Sequence, residues 1–115
     1  MKQIELELGG EKRTFYFGLG FLGNLIEKEN LSFEEIDQKL ASNPFKWIPL
    51  IMYYSCAWGF NRKNENTPFD VFDITEWIDE AGIESAVVVD FFQAFRQSLV
   101  KDVPPTNDKK QAKKK

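Results

Sequence analysis

The chain has 115 residues, 43% of them hydrophobic, including 11 Phe, 3 Trp and 3 Tyr, a supply that builds one core in one domain without a metal or disulfide staple. One cysteine and no histidine exclude an internal disulfide and a histidine-activated nucleophile, and leave carboxylates as the main donors for any metal. The net charge of −3 is uneven, because residues 103–115 hold five lysines against Asp108, a balance of +4 that leaves residues 1–102 at −7, and so acidic a body binds a phosphate backbone poorly.

The N-terminus reads at once as strand and not as an apolar leader. Ile4, Leu6 and Leu8 alternate with Glu5 and Glu7, the period of a half-buried strand. Gly9-Gly10 then supplies a two-residue hairpin turn, and Thr14 to Phe17 reads as the return strand. A hairpin alone is marginal in water, so it must pack on the rest of the chain.

Gly18-Leu19-Gly20 breaks the strand, and a helix is predicted from Leu19 or Gly20 to Glu29, with Leu19, Leu22, Leu25 and Ile26 on its inner face. Ser32 with Glu35 matches a capping box for a second helix whose stripe is Phe33, Ile36 and Leu40. Asn43-Pro44 ends that helix and starts a third, Asn as cap and Pro at the first helical position. The third helix covers about residues 44–60, with Pro49 either in its first turn or kinking it.

Within it, Trp47 to Asn61 is an uncharged run of 15 residues. That is short of the roughly 20 a bilayer span needs. The helix is apolar on nearly every side, and a chain this small has few elements to surround it. Part of its surface is therefore expected to meet another protein, with Trp47, Leu50, Tyr53, Tyr54 and Trp58 as anchors. Plain core packing is the competing role for each of the five.

Asn61 to Pro68 is polar and turn-rich, hence a loop. Asp73 with Glu76 predicts the cap of a short helix through Trp77 and Ile78 that closes at Gly82. The last helix runs from Glu84 or Ser85 to Val100 on a stripe of Val88, Phe91 or Phe92, Phe95 and Leu99, although Val87-Val88-Val89 locally favours strand. The expected architecture is thus α+β, mainly α. An N-terminal β-hairpin leads into a compact bundle of about five helices, residues 1–102 form one globular domain, and 103–115 form a disordered Lys-rich tail.

Catalytic and cofactor chemistry finds little purchase. Asp70, Asp73, Glu76, Asp79 and Glu80 lack the spacing and central glycine of a calcium loop and read as caps and a solvated face. Gly18-x-Gly20-x-x-Gly23 matches a dinucleotide fingerprint, but the strand before it belongs to a hairpin and no βαβ unit comes after it, so the glycines serve a tight strand-to-helix junction. Converging carboxylates of the glycosidase kind stay open, in a chain too small for a second cleft-forming layer. The reading is of a cytoplasmic protein that binds proteins, with no enzyme activity, cofactor, metal, nucleic acid, membrane or small-molecule substrate.

One segment is more specific. The hairpin leads into Phe15-Tyr16-Phe17-Gly18-Leu19-Gly20-Phe21-Leu22, followed by helices and a charged tail. Over residues 3–26 this resembles the tail assembly chaperones of long-tailed bacteriophages and prophages, in which a strand ending in Phe-Gly-(Leu/Ile)-Gly-Phe-Leu opens the first helix. The motif here is Phe17, Gly18, Leu19, Gly20, Phe21 and Leu22. The resemblance implies a protein of the bacterial host cytoplasm that binds the hydrophobic, helical tape measure protein. It would hold that client soluble until tail tube protein polymerises around it. It also implies a second, longer form made by ribosomal slippage near the Lys-rich end. The alternative is a small homo-oligomeric phage or bacterial interaction adaptor.

Overall fold

The structure, a computed structural model, describes residues 3–100. Strands β1 (Gln3–Leu8) and β2 (Glu11–Tyr16) pair antiparallel, Leu8 opposite Glu11 and Gln3 opposite Tyr16. Gly9 and Gly10 close the loop with φ of 67° and 82°, the left-handed pair that a type I′ turn requires. A side chain at Gly9 would also collide with the Trp77 ring. Cross-strand pairing puts Ile4, Leu6, Leu8, Arg13 and Phe15 on one face, and β1 carries that face onto α4 (Val71–Ala81) and α5 (Ala86–Val100).

Helix α1 (Leu19–Glu29) follows Gly18, whose φ of 108° only glycine adopts without strain. It ends on Asn30 in the left-handed conformation, with Leu31 N–H donating to the Ile26 carbonyl. Its buried residues are Phe21 and Leu25, with Leu22 and Ile26 half-buried beside them. Leu19, predicted to face inward, is instead 89% exposed. The reason is aromatic. Phe17 and Phe21 join Phe91 and Phe95, with ring centroids 5.4 to 6.2 Å apart, and this cluster sets the rotation of α1.

Helix α2 (Glu35–Ser42) is entered through a turn in which Ser32 N–H donates to Glu35 Oε1 at 2.7 Å, the carboxylate half of the predicted capping box. Ile36 is buried as expected, whereas Phe33 lies before the helix and is 47% exposed. Helix α3 (Pro44–Asn61) begins with proline at its first position, as predicted, and holds Pro49 in its interior, where the ring leaves the Phe45 carbonyl without its usual N–H.

α3 is the central element. It packs on β2, α4, α1 and α2, and every apolar residue from Trp47 to Phe60 is buried or half-buried. From Trp47 onward the small chain covers this helix more fully than expected, while its first turn stays open, with Phe45 71% exposed. Two glycines allow the close approach. A Cβ at Gly20 would strike the Trp58 ring, and one at Gly59 the Tyr16 ring. Ser55, fully buried, donates its hydroxyl to the Tyr16 carbonyl at 2.8 Å and ties α3 to the hairpin.

Helix α4 starts earlier than predicted, because Asp70 and not Asp73 is its cap. Asp70 Oδ1 accepts from Asp73 N–H and Asp73 Oδ2 from Asp70 N–H, both at 3.0 Å, a box in which aspartate does the work usual for glutamate. Buried Phe69 and Ile74 occupy the two positions of a hydrophobic staple around that cap. Gly82 ends the helix at a φ of 104°. In α5 the three valines are helical, since Val88, Phe91, Ala94 and Phe95 must all reach the core, and that burial outweighs a local strand preference of a few tenths of a kcal/mol per residue. Among the described residues the architecture is thus a two-stranded hairpin followed by five helices. The predicted tail, residues 103–115, lies outside the described residues. Among those described, no helix is long and apolar enough to cross a membrane.

Candidate protein-binding trough

The five anchors predicted on α3 do not stand free. Trp47 is buried, and Leu50, Tyr53, Tyr54 and Trp58 are half-buried. Spacing puts Trp47, Leu50, Tyr54 and Trp58 on one face of the helix, and α1 is packed there. Trp58 lies over Gly20 of α1, and Tyr54 donates its hydroxyl to Glu29 Oε2 at 2.7 Å. Burial, reinforced by the hydrogen bond and charge of Glu29, pushes the Tyr54 phenol well above its ordinary pKa. Tyr53 turns away and meets Phe69 edge-on at 6.2 Å.

The six motif residues act as one junction. Phe17 and Phe21 are core, Gly18 supplies the positive φ, Gly20 admits Trp58 and Leu22 flanks the core half-buried. Leu19 alone points its side chain to solvent.

Open apolar surface lies instead between α2 and α5. Two recesses sit side by side there. One, of about 310 Å³, is lined by Phe33, Ile36, Phe95 and Leu99, with Glu34 and Asp37 at its edge. The other, of about 280 Å³, is lined by Leu40, Pro44, Ile48, Val88, Val89 and Phe92. Arg96 belongs to both walls and pairs with Asp37 at 3.4 Å across the trough. Both partners are well exposed, 58% for Arg96 and 75% for Asp37, so the bridge contributes at most about 1 kcal/mol. It is a weak bar over an apolar floor. Sequence periodicity missed this trough, although α5 carried a signal: Val87-Val88-Val89 and Phe91-Phe92 make its apolar stripe wider than one core-facing row.

A third recess, of about 430 Å³, lies between β2, the end of α3 and the loop after it, with Lys12, Lys63, Glu11 and Glu65 around Cys56, Phe60 and Phe69. Its charges are mixed, and Arg13 is committed to the fold. The Arg13 Nε donates to the Leu8 carbonyl at 2.7 Å, and its guanidinium stacks 4.0 Å from the Trp77 ring centroid. Burial pushes the Cys56 thiol up to about 11, with Arg13 opposing, so at neutral pH it is neither a thiolate nor a nucleophile. Among the described residues, no group of three or more Cys, Asp or Glu side chains could hold a metal ion. Comparison with protein-family models, with curated proteins and with solved structures finds no match.

Proposed function

We propose that this protein is a carrier of a hydrophobic helical polypeptide, working as a tail assembly chaperone of a long-tailed phage or prophage in the bacterial cytoplasm. The observation that carries the reading is the trough between α2 and α5, apolar in its lining and set on a body whose charge over residues 1–102 is −7. A carrier needs apolar surface to cover its client and enough net charge to keep both in solution. The client is the tape measure protein, released as tail tube protein polymerises around it, and the Phe17 to Leu22 motif supports that choice.

The test is co-expression with the tape measure protein that this reading expects to be encoded beside it. The client should stay soluble with this protein and precipitate without it. Equal precipitation in both cases would overturn the reading. A homo-oligomeric adaptor is the second reading, supported by Leu19, Phe45 and Phe72, all strongly exposed outside the trough. A chaperone can also self-associate, so co-expression separates the two: an adaptor leaves the tape measure protein insoluble.

A further inference from the structure

We infer that the trough accepts an amphipathic helix of about three turns, with a basic polar face and two apolar anchors that straddle the Asp37–Arg96 bridge; this rests on reading the trough as a protein-binding surface. Length comes from α5. The lining residues run from Val88 to Leu99, which at about 1.5 Å per residue is some 16 Å, the length of an eleven-residue helix.

Spacing comes from the two recesses. Phe95 and Leu99 line one, Val88 and Phe92 the other, so their centres lie about two helical turns apart. Two large apolar side chains at i and i+7 of a docking helix reach both. Between them the helix must cross the ion pair. A bulky apolar residue there would strip water from two charges without replacing its hydrogen bonds, so the crossing residue is small or polar.

Charge decides between occupants. Glu34 and Asp37 outnumber Arg96 along the trough, and residues 1–102 carry −7. A second copy would bring the same negative body against the first, whereas a lysine-rich helix meets complementary potential.

The probe is a synthetic helix of about 14 residues, leucine at the two anchor positions, alanine between them and lysine on the polar face, compared with the same helix carrying glutamate. Binding to the full chain is followed by backbone amide NMR and fluorescence anisotropy. The lysine helix should bind at least about tenfold more tightly at low salt, and the gap should shrink as salt screens the charges. Its amide shifts should fall on both recesses, at Leu40, Val89 and Phe92 and at Ile36 and Phe95.

Val89→Lys, at a position already 45% exposed, should keep the helical circular dichroism and lose the peptide, since it puts a charge in the recess and repels the lysine face. Arg96→Glu should bind the lysine helix more tightly. Equal affinity for both helices, or shifts centred on Cys56 and Phe60, would overturn the inference. So would the same trough signals moving with protein concentration alone, which would assign the trough to a second copy. Trough signals that move when the five tail lysines are replaced by serine would assign it to the chain's own tail, with the same consequence. Peptide binding without tape measure solubilisation sinks the chaperone reading and spares this one. Solubilisation by a protein that ignores both peptides does the reverse.

Discussion

Gly20 and Gly23 sit one turn apart on α1, and the same substitution should move stability in opposite directions at the two sites. Alanine in a helix interior gains about 0.5–1 kcal/mol over glycine, because glycine loses more backbone entropy on folding. At Gly23 that gain is free, since an added Cβ meets nothing within 4 Å among the described residues. At Gly20 the added Cβ runs into the six-membered ring of Trp58, on the face where α1 and α3 join. Forcing a methyl group into a packed contact costs about 1–3 kcal/mol. Gly23→Ala should therefore stabilise by about 0.5–1 kcal/mol, and Gly20→Ala should lose that gain and destabilise by up to about 2.5 kcal/mol net. For a domain this size 1 kcal/mol is about 4–8 °C in Tm, well within reach of a thermal melt.

Urea unfolding followed by tryptophan fluorescence measures the two differences, with an unchanged slope showing that compactness is unaffected. Trimming Trp58 to leucine should make Gly20→Ala favourable again, a coupling that a double-mutant cycle isolates. If Gly20→Ala stabilises as much as Gly23→Ala in the unmodified protein, the close packing of α1 on α3 is wrong, and the account of the motif fails with it.

Three further outcomes check separate parts of the structure. Asp70→Ala should cost about 1 kcal/mol by removing the α4 cap, while Glu76→Ala, outside the cap, should be nearly neutral in the same denaturation assay. Tyr54 has its folded pKa raised, so its contribution to stability is complete below the unfolded value near 10 and declines as pH rises past it. Stability measured from about pH 9 to 11 should therefore fall less steeply in Tyr54→Phe than in the unmodified protein, at a cost of about 0.5–1.5 kcal/mol near neutrality for the lost hydrogen bond. Cys56, buried and held protonated, should resist iodoacetamide in the native state and react fully once the chain is denatured. Rapid native labelling would mean that the recess beside it opens.

The chaperone proposal and the observed surface meet at a different place from the one that aromatic content suggested. α3 is the most apolar helix, yet from Trp47 to Phe60 it is largely covered, because β2, α1, α2 and α4 all pack on it. Apolar surface left over after folding includes the start of α3 and the open side of α5, besides the isolated Leu19 and Phe72. Apolar composition says how much surface must be covered. It does not say which part the chain covers itself.

Local signals did their work where the cause was local. Alternation and Gly9-Gly10 determined the hairpin, Asn43-Pro44 the start of α3, and Gly82 the end of α4, because a positive φ or a missing N–H acts within a few residues of its own position. Tertiary structure decided the rest. It turned Leu19 outward and Phe21 inward, moved the α4 cap back to Asp70, and enclosed the aromatic face of α3 under α1. It also left a bridged apolar trough between α2 and α5. Each of these depends on which distant side chains compete for the same volume, and that competition exists only once the elements are packed together.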